Sequence, residues 1–254
     1  MDWTTLSISK FNQIKDIVLD PEYTEEDRFL YNIQIIFGVD PFKLGMNQLK
    51  YFTEKMGFLS QPIPKMKVKD YYKLGKNKYR LNKKLQDFTV AQFIDWRNMI
   101  NEGGTESDNY ANLLSVFLIP EGVKEYNEGY DIDTVKNDIN EHLSIADAMA
   151  LSAFFFNLSK GVVDSFPLVF TTSDNADETS EGEKEEGEKG VQEGDNGGFN
   201  WQMTPLLVTV SKETCTPLHD LYGWAVTEFL YYASYLIETE KRNIRELKKL
   251  KLKK

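Results

Sequence analysis

SIADAMALSAFFFNLSKGVV, residues 144–163, is the stretch on which the fold turns. Ser144 stands where a helix N-cap would stand, and Asp147 follows three residues later in the favourable first turn. Beyond the cap, apolar side chains occupy nearly every side. A helix of that kind has no solvent face to offer and belongs at the centre of a core. The fold expected around it is mainly α, a body of several helices packed on this one.

Upstream, a helix is expected from about Ile132 to His142, with His142 in its last turn, where a cation complements the dipole. The segment 121–131 reads as a tight polar loop holding Tyr126 and Tyr130. Residues 109–119 read as an apolar helix stopped by Pro120. Thr89 and Gln92 have capping-box spacing, and Gly103-Gly104 ends the helix they open. Residues 62–85 change texture: apolar and basic residues alternate around Gly75-Lys76-Asn77, a β-hairpin signal near residues 67–82. Val68, Tyr72 and Leu74 share one face of that hairpin, as do Tyr79 and Leu81 across the turn. The first 60 residues predict short helices. Ile8, Phe11, Ile14 (or Lys15) and Val18 make one stripe, and Thr24 with Asp27 opens the next helix, which Gly38 closes. Asp40-Pro41 then reads as a cap with a first-turn proline, and residues 47–56 as a short helix closed at Gly57.

Downstream, residues 174–195 hold ten acids against Lys184 and Lys189, a net charge of −8. Such a run buries too little apolar surface to offset the entropy of ordering, so a disordered acidic insert is expected over 173–199. Residues 199–212 are ambiguous between strand and buried loop. Thr216-Pro217 starts a long C-terminal helix, aromatic first and basic last: residues 241–254 carry eight cations against Glu246, a net of +7. Three regions follow, a helical body with a hairpin over 1–172, the insert, and an aromatic, basic helix over 200–254.

The 254 residues are 41% hydrophobic and 13% aromatic, enough for a core, and carry a net charge of −10. Without the insert that charge falls to −2, so a nearly neutral body carries separate blocks of each sign. The single cysteine, Cys215, excludes an internal disulfide and suits a reducing compartment. No signal peptide is expected from MDWTTLSISK. Residues 221–237 are the longest apolar stretch, but Glu228 at its middle argues against a membrane span.

No catalytic motif stands out. Cys215 and His219 are spaced for one helical turn, yet Thr216-Pro217 separates them, and a structural zinc site needs four ligands. Phosphate-binding loops, nucleophile elbows and zinc-protease motifs are absent from the sequence. A non-enzyme without cofactor or metal is expected. The basic hairpin, with nine cations between Lys65 and Lys84 and with Tyr71, Tyr72 and Tyr79 among them, would suit nucleic acid. It would equally suit an edge strand kept soluble by lysine. The basic tail has three readings: nucleic acid, an acidic partner, or the chain's own acidic insert. The last helix shows two apolar faces, one through Leu218, Tyr222, Val226, Phe229, Ala233 and Leu236 and one through Trp224, Tyr231 and Tyr235. Two faces imply two neighbours, the chain's own domain and another subunit or partner. The expected partner-binding residues are Trp224, Tyr231, Tyr235, Lys241, Arg242, Arg245, Lys248 and Lys249.

Residues 88–100 and 112–158 together resemble proteins of the virion-assembly region of tailed bacteriophages, in particular tail-assembly chaperones and structural proteins of phages infecting Bacteroidetes. The matching features are Thr89-Val90-x-Gln92-Phe93, the apolar segment ending at Pro120, Tyr126-Asn127-x-x-Tyr130-Asp131 and Phe154-Phe155-Phe156. The capped helices and lysine-rich hairpin of residues 8–82 fit as well. The resemblance implies a virion-assembly protein that works through phage tail or neck proteins, located in the host cytoplasm during assembly and in the virion if retained. It brings no active site.

Overall fold

A computed structural model describes residues 2–101, 106–124, 126, 129–170 and 203–251; the acidic insert, Gly103-Gly104 and the last three residues lie outside these. In chain order the helices are α1 (Ile8–Leu19), α2 (Glu25–Phe37), α3 (Met46–Lys55), α4 (Val90–Asn101), α5 (Tyr110–Ser115), α6 (Ile132–His142), α7 (Ile145–Ser165), α8 (Pro167–Phe170), α9 (Met203–Thr214), α10 (Leu218–Leu221) and α11 (Val226–Lys251). The strands are β1 (Tyr71–Leu74), β2 (Asn77–Leu81) and β3 (Leu118–Pro120), in one antiparallel sheet of that order. The mainly α architecture with a small hairpin and a long C-terminal helix is therefore the fold. Two compact units divide the chain, Met1–Leu158 and Ser159–Lys254, and the division falls within α7.

In the first unit the caps expected from the sequence form. The Ser144 hydroxyl accepts the Asp147 N–H at 3.0 Å and donates to its carboxylate at 3.1 Å. Thr24 and Asp27 complete a reciprocal box, and Gly38 ends α2 in the left-handed conformation at φ +69°. Thr89 accepts the Gln92 N–H, but the Gln92 side chain turns inward and donates to the Val116 carbonyl at 2.6 Å. That box is half made, because the amide serves a buried carbonyl instead. Ser7 caps α1, and the caps of α1 and α7 are themselves joined. Ile8 N–H donates to the Leu143 carbonyl and Ile145 N–H to the Leu6 carbonyl, at 3.2 and 2.8 Å.

The first part of α7 lies in the core, as its all-round apolar character implies. Phe155 stacks on Phe117 with centroids 3.4 Å apart and planes at 9°. Trp96 stands nearly perpendicular to both, and Phe88 and Phe93 close the cluster. All five rings are fully buried.

Residues 109–119 do not form one helix. The helix stops at Ser115, and Leu118–Pro120 pairs with β2 as a third strand, Leu81 opposite Leu118 and Tyr79 opposite Pro120. A continuous apolar run cannot be assigned by periodicity alone, and the residue before a proline favours extended backbone. The hairpin itself falls where expected, with Tyr72 opposite Tyr79. Tyr72, Leu74, Tyr79 and Leu81 are buried. Burial pushes the Tyr72 hydroxyl up to about 12, and burial with Asp138 nearby raises Tyr79 further. The Tyr79 hydroxyl donates to Asp138 on α6, as does the Asn77 side-chain amide at 2.7 Å. One turn on, His142 lies against the hairpin turn, where Gly75 sits at φ +57° and an added Cβ would meet the imidazole at 2.8 Å.

In the second unit, α8 and α9 pack on α11. Residues 203–212 are helical, not strand or loop. Met203, Leu207 and Val210 fall at helical spacing on one buried face, which overrides the strand preference of Leu-Leu-Val-Thr-Val. The last helix is interrupted. α10 ends at Leu221, and Tyr222 to Ala225 form a turn before α11 begins.

Phe155→Ala should cost about 3–5 kcal/mol, read from the urea midpoint at unchanged m value, because it opens the centre of the ring cluster. Gly75→Ala should cost roughly 2–3 kcal/mol. In a His142→Ala background the steric part disappears and about 1 kcal/mol remains. Equal penalties in the two backgrounds would show that the imidazole does not constrain the turn.

Candidate partner-binding surface

α11 begins after a short reversal in which Gly223 N–H donates to the Asp220 carbonyl and Trp224 N–H to the Leu221 carbonyl, both at 3.1 Å. The break takes Leu218 and Tyr222 off the stripe expected to run from Leu218 to Leu236. Both side chains are exposed, whereas Val226, Phe229, Leu230 and Ala233 are fully buried. Trp224 lies in the turn and is half-buried, so it does not continue the face of Tyr231 and Tyr235.

Those two tyrosines do share the opposite side of α11. Tyr231 is 69% and Tyr235 59% exposed. Tyr231 is held edge-on by the buried Phe166 ring, at 5.0 Å and 74°. At 3.6 residues per turn, Tyr231, Tyr235, Arg242 and Lys249 fall along one line, with Arg245 beside it and Lys241 at its margin. The line spans about 27 Å at 1.5 Å per residue. Lys241, Arg242, Arg245 and Lys249 are exposed and make no ion pair among the described residues. The Lys248 side chain lies outside the description. Aromatic rings held by a packed neighbour, followed by unpaired cations, form a surface suited to a protein partner with acidic groups.

Three apolar side chains in the second half of α11 are not among the residues expected to bind a partner. Ile244, Leu247 and Leu250 are 45%, 58% and 63% exposed. Their signal in the sequence is spacing. Ile244 lies eighteen residues beyond Val226, and Leu247 eighteen beyond Phe229; eighteen residues make five whole turns. The face that is buried at the start of α11 therefore returns, uncovered, near its end.

Four of the nine cations of the basic hairpin are engaged within the fold. Lys69 pairs with the nearly buried Asp147 at 3.2 Å and lies over the Tyr72 ring. Lys78 pairs with Glu121 and covers Tyr71 at 4.5 Å, and Lys83 pairs with Asp70 at 2.7 Å. Arg80 donates to the Lys124 carbonyl at 3.3 Å. Of the three hairpin tyrosines only Tyr71 is exposed. Lys65, Lys67, Lys73, Lys76 and Lys84 remain exposed without an ion pair among the described residues.

Cys215 ends α9 in the left-handed region at φ +54°, exposed, with its thiol facing the Lys212 carbonyl at 3.9 Å. His219 lies 3.0 Å from the Asp220 carboxylate. Among the described residues, no group of three or more His, Cys, Asp or Glu is placed to hold a metal ion. Nor is any described helix long and apolar enough to cross a membrane. Comparison with protein families, with curated proteins and with solved structures finds no match for this chain.

Replacing an exposed surface ring should leave the fold untouched. Tyr235→Ala should change stability by no more than about 0.5 kcal/mol. Leu230→Ala, one position from Tyr231 but on the buried side, should cost about 2–5 kcal/mol. Thermal melts of the two variants check this, and a large loss for Tyr235→Ala would mean that its ring is needed for packing.

Proposed function

We propose that this chain is a non-enzymatic virion-assembly protein of a tailed bacteriophage, a tail-assembly chaperone or a tail or neck component, acting through protein–protein contacts. The class comes from the resemblance of residues 8–158 to such proteins. The observation that carries the mode of action is the exposed line of Tyr231, Tyr235, Arg242 and Lys249 on α11. Tyrosine and arginine supply much of the contact energy at protein interfaces, where rigid rings pack and the guanidinium forks on to carboxylates. The partners in this reading are phage tail or neck proteins, met in the host cytoplasm during assembly.

A nucleic-acid-associated role has less to draw on. Stacking needs open aromatic faces beside free cations. Of the hairpin tyrosines, two are buried and the third is covered by Lys78.

Mass spectrometry of purified particles and of infected-cell lysate separates the two forms of the proposal. A tail or neck component is recovered from the particle. A chaperone is recovered only from lysate, bound to a tail protein, and that complex is lost in a Tyr231→Ala, Tyr235→Ala chain of unchanged stability. Recovery with neither particles nor tail proteins would reject the proposal.

A further inference from the structure

The sheet of the first unit has an open edge at β1. In the order β1-β2-β3, β1 has β2 on one side and no strand on the other among the described residues. Successive residues of a strand turn their main-chain groups to opposite sides. Leu81 N–H donates to the Asp70 carbonyl, and on the far side of β2 Glu121 N–H donates to the Lys78 carbonyl, both at 2.8 Å. Asp70, Tyr72 and Leu74 therefore face β2, and the N–H and C=O groups of Tyr71 and Lys73 point away from the sheet. Those groups make no hydrogen bond among the described residues. The side chains beside them are unevenly matched. Lys73 lies directly opposite Lys78, and like charges so placed are unfavourable. Lys78 has Glu121 as its partner, whereas Lys73 is exposed and makes no ion pair among the described residues. Asp70, the acid nearest to it in sequence, pairs with Lys83 at 2.7 Å.

We infer that β1 is a docking edge for an acidic extended segment of a partner protein, which adds as a fourth, antiparallel strand and sets a carboxylate opposite Lys73. Its main chain meets the outward groups of Tyr71 and Lys73. Its carboxylate completes the row Glu121, Lys78, Lys73 with an acid at each end. The edge and the cation must both be satisfied, and that decides among occupants. A second copy offers an edge but no acid, because β1 reads Tyr71-Tyr72-Lys73-Leu74. Lysine on a short edge acts against such self-pairing. Nucleic acid offers phosphates but no strand, and leaves the main-chain groups to water. A neutral strand satisfies the edge and leaves Lys73 facing only Lys78. An acidic strand satisfies both, since main-chain pairing gives affinity in strand addition and alternate side chains give specificity.

The inference rests neither on the assembly role nor on α11, and it is tested without phage material. The probe is a labelled, blocked peptide of about nine residues in which Glu alternates with Thr, titrated with the full chain. Saturable binding is expected. By hydrogen exchange, the amides of Tyr71 and Lys73 should exchange fast in the free chain and become protected at saturation. Lys73→Glu should weaken binding about tenfold, whereas the same change of charge at the exposed Lys50 of α3 should alter it by no more than about twofold. The same peptide N-methylated at its Glu residues keeps its charge but cannot donate to the edge, and should bind at least about tenfold more weakly. Circular dichroism verifies that the Lys73→Glu chain keeps its fold, as its exposed position predicts. Absence of binding, equal binding of the methylated peptide, or binding that leaves both amides unprotected overturns the inference. Equal losses in the Lys73→Glu and Lys50→Glu chains also overturn it. So does protection of both amides before any peptide is added, in a monomer or in a sedimenting dimer, since the edge is then already covered. Duplex DNA bound by the full chain but not by the Lys73→Glu chain, with no binding of the peptide, would give the cation to nucleic acid and equally overturns it.

Discussion

The first unit depends on the contact between Phe117 and Phe155. Two rings stacked face to face at 3.4 Å set like quadrupoles against each other, an arrangement aromatic pairs do not favour by themselves. Trp96 supplies the counterpart, with its plane at 82° to Phe117 and 75° to Phe155. One edge-to-face partner thus serves both rings. The cluster joins parts of the chain far apart in sequence: Trp96 comes from α4, Phe117 from the turn before β3, and Phe155 from the middle of α7. The Trp96 indole N–H is buried among them with no acceptor among the described residues. A buried donor left unpaired costs about 1–3 kcal/mol, so ring burial is what keeps this indole in the core.

That dependence explains which features are legible in the sequence alone. Caps are local: Ser144 and Asp147, or Thr24 and Asp27, satisfy one another within a single turn, so their spacing is sufficient. The hairpin is equally local, and its alternation puts Tyr72, Leu74, Tyr79 and Leu81 on the inner face. The features that sequence hides are of another kind. Leu113 to Ile119 is apolar throughout apart from Ser115, and whether it continues as helix or turns into a strand depends on β2 having an unpaired edge to offer. Leu206 to Val210 prefers strand by composition, yet its burial on one side is satisfied only as helix. In both, a distant neighbour decides, and periodicity holds no record of it.

Charge is legible as composition but not as pairing. Nine cations over Lys65 to Lys84 read as one basic patch, while the fold engages several of them with separate local partners. Asp147 shows why. It completes the cap of α7 and lies nearly buried, where an unaccompanied carboxylate would be costly, and Lys69 supplies the compensating charge from the segment before β1. Lys69 therefore helps to hold the segment before the sheet against α7. Lys241, Arg242, Arg245 and Lys249 on α11 have no such partners among the described residues, so the two basic blocks, similar in composition, differ in how far the fold engages them.

The eighteen-residue return on α11 carries that difference further. Val226 and Phe229 are buried, whereas Ile244 and Leu247, which present the same azimuth five turns later, are exposed. A helix whose only task was to close its own unit would have polar residues on every side beyond the last contact. This one keeps its apolar stripe, with Lys241 at its edge. Its first half is therefore accounted for by burial, and its second half carries the same face exposed.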